Sequence, residues 1–264
     1  MLGNLKNLVR YRGLIQALVA RELKARYRGS VLGFVWSFIN PLLLLGIYTF
    51  VFTTILPNRT EGLQPYALFM LSGILPWTWF SASLTDASGS LIAGGNLIKK
   101  VLFPAEVLPI VSVLANMVHF LLPLPLVLLL IVVFHRTPDA VGLVWLPAVV
   151  LVQLVFTTGL ALALAALTVH FRDIRDILAN VLMLWFFSTP LIYWYGQAEV
   201  RSYNTFFDAN PFTHLAISYQ EILFFPGPFG HWRWLVALGV ASIGVFLAGF
   251  WLFDRLRDSF AEVV

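Results

Sequence analysis

The chain has 264 residues, of which 59% are hydrophobic and only 11% are charged, and its formal net charge is +4. A soluble domain carries about 25% charged residues, so this composition excludes a water-soluble globular protein and predicts one that uses lipid as its solvent. The sequence contains no cysteine, which excludes disulfides, thiolate nucleophiles and Cys-ligated metal sites.

The N-terminal segment is basic and predicts an amphipathic helix over residues 4–29. Seven of the 17 Lys and Arg residues lie in residues 1–30, where Glu22 is the only acid. At about 100° per residue, most of the apolar side chains fall on one half of the helix, which is typical of a helix lying on a membrane surface. The apolar run 14–20 is too short, and too closely followed by charges, for a cleaved signal peptide.

Six segments are predicted to cross the membrane, because a span needs roughly 20 mostly apolar residues. They are 32–56, 66–90, 107–134, 144–168, 178–195 and 233–253. Pro123 and Pro125 predict a kink in the third span. A further apolar stretch at 212–225 has helical periodicity but is too short to cross a bilayer, so we predict a re-entrant or interfacial helix between the last two spans.

The distribution of basic residues predicts the orientation. Loops and ends on one side of the six predicted spans hold thirteen Lys and Arg residues, whereas those on the other side hold four. We therefore expect both termini in the cytoplasm. In this all-α arrangement residues 1–264 form one transmembrane domain, with a cytoplasmic helix over 1–31, the spans over 32–253 and a cytoplasmic tail over 254–264.

A dense basic cluster stands just before the first predicted span, at Arg21, Lys24, Arg26, Tyr27 and Arg28. One interpretation is an anchor that also fixes the topology. Another is a site at headgroup depth that attracts the diphosphate of a lipid carrier. Some of these charges could instead pair with a partner subunit, and the sequence leaves all three open.

The loop after the second predicted span predicts a two-turn amphipathic helix, with Asn96 as its N-cap and Pro104 after its end. The residues of interest are Asn96, Leu97, Ile98, Lys99, Lys100 and Phe103. Such a short helix has little stability alone. It therefore either packs on this chain's own helices or on lipid, or it is a coupling helix that docks into a cytoplasmic motor subunit.

Aromatic side chains are concentrated in two places, in the second span (Trp77, Trp79, Phe80) and at the end of the fifth (Tyr193, Trp194, Tyr195). Interfacial aromatic belts explain many such residues. The alternative is a path along which sugar rings slide over aromatic faces, and the deep Trp77–Phe80 cluster is the better candidate.

The predicted spans contain very few ionisable residues, chiefly Asp86 and His119. Ion-coupled transporters normally place such groups near the midplane, so this class is disfavoured. The sequence has no GxxxxGK[ST] loop, which excludes ATP binding by that route. His170, Asp173 and Asp176 are the only clustered set that a membrane enzyme could use, so we expect a chain that is not an enzyme and holds no metal.

Four motifs resemble those of polysaccharide-export permeases of the type-2 ABC transporter family, in the family's order. They are residues 21–36 followed by Asn40-Pro41, residues 96–104, residues 171–174, and Asn210-Pro211. The resemblance implies an inner (plasma) membrane permease, with a cytoplasmic gate near 21–30, a coupling helix near 96–103 and outer gate helices within 196–232.

The resemblance also implies the partners and the substrate. It implies a homodimer bound to two copies of a separate ATPase, which would bind ATP and Mg²⁺, so that this chain has no cofactor of its own. The expected substrate is a lipid-linked polysaccharide, O-antigen foremost, with capsular polysaccharide or teichoic acid as alternatives. Membrane lipids are expected as partners and nucleic acid is not. A rival from another class is a membrane-embedded transferase acting on lipid-linked sugars.

Overall fold

A computed structural model of the chain describes residues 10–55, 63, 65–99, 103–134, 140–197, 200 and 202–260. Its described residues form helices and no strand, which confirms the all-α prediction. Five helical segments are long and apolar enough to cross a membrane: Gly33–Ile55, Tyr66–Ala93, Val107–Phe134, Val141–His170 and Trp232–Ser259.

The α-helices are named here in chain order. They are α1 (Arg12–Arg26), α2 (Trp36–Phe50), α3 (Tyr66–Ala93), α4 (Gly95–Ile98), α5 (Val107–Leu121), α6 (Leu124–Phe134), α7 (Ala140–Leu143), α8 (Leu146–His170), α9 (Ile174–Phe187), α10 (Asn204–Asp208), α11 (Pro211–Leu223) and α12 (Trp232–Leu256). A 3₁₀ turn, Gly33–Val35, precedes α2, and a π-helical turn, Val51–Ile55, follows it.

Helix α3 is the centre of the bundle and packs against α2, α5, α8, α9 and α11. Its buried polar contacts run from side chains to backbone carbonyls. Gln153 Nε2 donates to the Pro76 carbonyl at 2.8 Å, and Trp79 Nε1 donates to the Val113 carbonyl at 3.2 Å. Lipid supplies no water to replace a lost hydrogen bond, so these contacts fix α8 and α5 against α3.

Helices α8 and α12 cross at two glycines. A Cβ atom added to Gly159 would lie 2.6 Å from the Phe246 Cα, and one added to Gly249 would lie 2.0 Å from the Gly159 carbonyl oxygen. The two backbones are therefore in direct contact, which is the small-residue packing that holds helices together where the solvent is as apolar as their side chains.

The third span contains the expected break. Helix α5 ends at Leu121 and α6 begins at Leu124, with Pro123 between them. Pro123 has no backbone N–H to donate to the helical hydrogen-bond pattern. The predicted kink is therefore confirmed at this position.

The fifth predicted span differs from the structure. Residues 178–195 do not form one continuous helix, because α9 ends at Phe187 after 14 residues, and the sixth crossing stays a prediction. At 1.5 Å per residue this is about 21 Å, shorter than the roughly 30 Å hydrocarbon core. Pro190 explains the early end, since it has no N–H and keeps the preceding Thr189 out of the helical region.

The side chain of Asn210 joins the end of α9 to the start of α11. Its Nδ2 donates to the Ser188 carbonyl and to Thr189 Oγ1, both at 3.0 Å. Its Oδ1 accepts from Trp185 Nε1 at 2.7 Å and from the Phe212 N–H at 3.0 Å. Asn210 is thus the N-cap of α11, with Pro211 in the first helical position, where a missing N–H costs nothing.

The helix predicted over 212–225 is confirmed as α11, and it is buried rather than spread on the surface. Nearly all its side chains are inaccessible, with Phe212, Leu215 and Tyr219 fully buried. It packs against α3, α8 and α12, so it forms part of the bundle core.

Candidate cytoplasmic gate and coupling surface

Helix α1 packs on the chain's own bundle. The predicted helix over 4–29 begins before the described residues and ends earlier than expected, at Arg26, and Gly29 adopts φ +78°. Leu18 is buried against Val107 and Val111 of α5. The apolar face of α1 therefore contacts α5, and the helix is held at one end of the bundle.

Arg26 is the centre of a hydrogen-bonded group that we call the latch, made of Arg26, Asp86 and Asn116. Arg26 donates from Nη2 to Asp86 Oδ2 and from Nη1 to Asn116 Oδ1, both at 3.0 Å. Asn116 Nδ2 donates to the same Asp86 Oδ2 at 2.8 Å. The latch connects the C-terminal end of α1 to α3 and α5 at one level.

The energy of the latch depends on its exposure. The side chains of Arg26 and Asp86 are 37% and 43% exposed, and an ion pair at such exposure contributes about 0–1 kcal/mol. Asn116 is buried at 3% exposure, so its two hydrogen bonds are better shielded from water. A contact of this strength can break and re-form, which suits a moving part.

Tyr27 makes a second connection beside the latch. Its hydroxyl is hydrogen-bonded to Ser37 Oγ at the start of α2 and lies 3.0 Å from His119 Nδ1 of α5. The Tyr27 and His119 rings meet edge to face at 5.6 Å. A cavity of about 410 Å³ lies between these groups and α2, with Asn40 and Trp79 also in its lining.

The structure brings together only part of the predicted basic cluster. Arg26 and Tyr27 are engaged, whereas the side chains of Arg21, Lys24 and Arg28 are exposed and form no ion pair within the described ranges. The sequence singled out Asp86 and His119 as rare ionisable residues but did not pair them with Arg26 and Tyr27. Asn116 was missed, because an Asn inside an apolar span gives no signal without its partners.

The loop helix α4 is shorter than expected and starts earlier. It covers Gly95–Ile98, with Gly94 before it, so the prediction of Asn96 as N-cap is wrong. Lys100 lies outside the described residues. Leu97, Ile98 and Phe103 pack on the chain's own cluster of apolar residues, which includes Leu108 and Phe253.

The packing of α4 separates its two faces. Its apolar side chains contact this chain, while Asn96 and Lys99 are exposed. The role of the loop in docking an ATPase stays a prediction, and the surface available for it is polar.

The deep aromatic residues pack inside the protomer. Trp77 and Phe80 contact Trp185 and Phe212, and Trp79 stacks on Phe120 at 5.3 Å. Trp77 and Phe80 are 6% and 0% exposed, so in this conformation they hold α3 against α9 and α11. Their place on a polysaccharide path stays a prediction.

The second aromatic group lies outside α9. The Tyr193 hydroxyl donates to the Phe187 carbonyl at 2.8 Å, and the Tyr195 hydroxyl donates to Asp208 Oδ1 at 2.6 Å. Trp194 is 39% exposed, so it is the side chain of the three with most surface to offer a sugar ring.

Comparison with known proteins decides the family. The sequence profile of the ABC-2 type transporter membrane family matches residues 13–224. The chain belongs to the ABC-2 type transporter family. It is 40% identical over 265 residues, all of both chains, to the O-antigen export system permease protein RfbA of Myxococcus xanthus.

Two further relatives differ in how much of this ABC-2 chain they match. It is 31% identical over 251 residues, 95% of each chain, to the O-antigen export system permease protein RfbA of Klebsiella pneumoniae. It is 28% identical over 87 residues, 31% of this chain and 32% of the other, to the polysialic acid transport protein KpsM of Escherichia coli.

Membership in the ABC-2 family makes the chain a transport subunit, and the enzyme alternative gains nothing from the structure. His170 Nδ1 faces the Ala166 carbonyl at 3.2 Å and Nε2 faces Ser259 Oγ at 3.0 Å. Asp173 and Asp176 are exposed. Within the described ranges, no three His, Asp or Glu side chains are grouped as metal ligands.

Proposed function

We propose that this chain is the membrane-embedded subunit of an ATP-driven exporter that moves lipid-linked O-antigen polysaccharide out of the cytoplasm. The observation that supports it is the 40% identity over the whole length to an O-antigen export permease. Capsular polysaccharide is the second candidate, favoured by the shorter match to a polysialic acid transport protein.

The working unit is two copies of this chain with two copies of a separate ATPase, which binds ATP and Mg²⁺. Self-association is supported by apolar faces that the single chain leaves open. Leu43, Ile47 and Phe50 of α2 are 53–59% exposed on one chain, and Val181 and Leu184 of α9 are 44% and 65% exposed. A second copy and lipid would cover these faces.

The chain crosses the inner membrane six times, with both termini in the cytoplasm. Helix α9 and the residues up to Tyr195 form the sixth crossing beside the five long helices. The thirteen-to-four distribution of basic residues supports this even number. Helices α10 and α11 are re-entrant from the outer side, which the burial of α11 supports.

The latch and Tyr27 form the cytoplasmic gate, with Arg21, Lys24 and Arg28 at the entrance for the lipid diphosphate. The loop over 96–103 docks on the ATPase. When the gate opens, the polymer passes a path that includes Trp194 and its neighbours, with the Trp77–Phe80 cluster behind it.

Reconstitution tests the function. The chain and its partner ATPase are placed together in sealed vesicles with fluorescent O-antigen glycolipid on the outside, the side on which the ATPase faces. We expect the glycolipid to move inward only with ATP and with both proteins present. Transport by this chain alone, or transport driven by a proton gradient without ATP, would overturn the proposal, and preference for a capsular glycolipid would select the second candidate.

A further inference from the structure

A second cavity, of about 610 Å³, lies beyond the latch between α1, the end of α3, α4 and the first turn of α9. Its lining includes two arginines from different helices, Arg21 of α1 and Arg175 of α9. The first belongs to the basic cluster before the first span. The second lies in the first turn of α9, about 150 residues later in the chain, and the sequence assigned it no ligand.

The guanidinium of Arg175 lies against Gly89, where α3 has no side chain. A Cβ atom added to Gly89 would lie 3.3 Å from both Cζ and Nη2 of Arg175. The glycine therefore lets the guanidinium of Arg175 approach α3 closely, one helical turn from Asp86. A Cβ atom at position 89 would require the guanidinium to shift by a few tenths of an ångström.

The three arginines near the second cavity, Arg21, Arg26 and Arg175, differ in their hydrogen-bond partners. Arg26 is engaged by Asp86 and Asn116. Within the part of the chain that the structure describes, no carboxylate forms an ion pair with Arg21 or Arg175. Glu22 and Asp86 also line the cavity, and Asp86 already accepts from Arg26 and Asn116. The guanidinium groups of Arg21 and Arg175 therefore have N–H donors to offer to an anion.

We infer that Arg175 and Arg21 form a receptor for the diphosphate that ends the lipid-linked substrate, with one arginine facing each phosphate. This inference rests on the proposed function. An arginine fork matches two phosphate oxygens in a way that a lysine ammonium does not. The cavity volume lies in the range of sites that enclose small organic ligands. Binding here would bridge α1 to α9 next to the latch.

Binding measurements on the purified complex with its ATPase, without nucleotide, test the inference, with farnesyl diphosphate as the probe. We expect Arg175→Gln to weaken the Kd about 10- to 100-fold, as loss of a charge-assisted pair does. Arg175→Lys keeps the charge but loses the forked pair of N–H donors, so its Kd should lie between those of the unaltered protein and Arg175→Gln. Gly89→Ala changes no charge and should weaken binding several-fold by displacing the guanidinium.

The matched control is Arg172→Gln, an exposed arginine three residues before Arg175 that does not line the cavity. It should bind the probe as the original protein does. Competition by inorganic diphosphate shows that the headgroup is recognised, and competition by farnesol alone overturns the inference. Equal losses in Arg172→Gln and Arg175→Gln, or an unchanged Kd in Arg175→Gln, also overturn it.

The vesicle transport assay separates this inference from the proposed function. If the unaltered complex exports glycolipid and Arg175→Gln binds the probe normally, the receptor is disproved and the function stands. If the unaltered complex shows no ATP-dependent export, the function fails. If Arg175→Gln lowers ATP hydrolysis without any change in probe binding, Arg175 contacts the ATPase and the receptor is again disproved.

Discussion

Arg26 and Asp86 form an ion pair of 3.0 Å across 60 residues of sequence, and it joins the last residue of α1 to the C-terminal third of α3. The pair is the one direct charge contact in the described residues between the basic N-terminal segment and the bundle. Since Asn116 accepts from the same guanidinium and donates to the same carboxylate, the position of α1 relative to two spans depends on three side chains.

Asp86→Asn is expected to loosen this end of α1. The variant keeps the size of the side chain but removes the charge, so we expect a loss of about 1 kcal/mol and a roughly fivefold more open gate. The chain has no cysteine, so a single Ala82→Cys, at a half-buried position that lines the cavity beside Tyr27, reports gate opening by its rate of maleimide labelling. Asp176→Asn, an exposed carboxyl of α9, is the control, and equal labelling rates in both variants would contradict the prediction.

Gly249→Ala is expected to separate α8 from α12. Its Cβ would lie 2.0 Å from the Gly159 carbonyl oxygen, which is backbone and cannot rotate away. Overpacking of this kind costs about 1–3 kcal/mol, measured as a lower thermal midpoint in detergent. Gly244→Ala on the same helix meets nothing within 4 Å, and should be neutral or slightly stabilising. Similar losses in both variants would refute the account of the crossing.

Stability should fall with acid because of a pair of histidines, His214 of α11 and His231 just before α12. His214 Nδ1 and His231 Nε2 are 3.1 Å apart, and both rings stack on Trp234. Burial, with a smaller contribution from His214, lowers the pKa of His231 to about 4 from its usual 6.5, and burial also lowers the pKa of His214. The nearby Asp208 opposes both shifts without reversing them.

The sign of the pH dependence follows from those shifts. Between pH 6.5 and about 4 the unfolded chain binds more protons than the folded one, so the free energy of unfolding decreases as the pH falls through this window. For His231 alone the loss is on the order of 2 kcal/mol. Thermal midpoints measured from pH 7.5 to 4.5 should show a smaller decrease for His231→Gln, and an unchanged one for the neighbouring Trp232→Phe. Equal slopes in all three proteins would exclude the histidine pair as the cause.

The two faces of α4 should respond differently to substitution. Lys99→Ala removes an exposed charge, so it should leave the thermal midpoint unchanged. One lost interfacial contact costs on the order of 1 kcal/mol, so the ATP hydrolysed per exported polymer should increase at least about threefold. Leu97→Ala removes packing on the chain's own core. It should lower the free energy of unfolding by about 1–2 kcal/mol, and the thermal midpoint with it. If Lys99→Ala exports with normal ATP use, the loop does not dock through its polar face.

The sequence predicted the helices well where a single property decides them. Long apolar runs gave four of the five long helices to within a few residues, and Pro123 predicted the break between α5 and α6. The end of α9 was missed this way, because the apolar and aromatic residues 191–195 follow Ser188, Thr189 and Pro190 and make the run look continuous. Their path is decided by Pro190 and by a hydrogen-bonding partner, Asn210, that lies 20 residues further on.

The gate shows the same limit for side chains. Composition identified Asp86 and His119 as unusual and the cluster near Arg26 as basic, but periodicity says nothing about which helices touch. Asn116 carries no charge and does not interrupt its apolar span, so only the packing of α5 against α3 reveals its role. Trp77 and Phe80 were predicted on a transport path from their depth alone, and depth does not distinguish a lining residue from one that packs between helices.

Asn210 has used every donor and acceptor of its side chain on groups before and after it. A displacement that starts at the N-terminal end of α9 would therefore carry the first turn of α11 with it. Gly227, with φ +111° between two prolines, stands at the far end of that helix. The pivot for such a movement is expected there, so that a shift at the start of α9 would be transmitted through α11 to the segment that precedes α12.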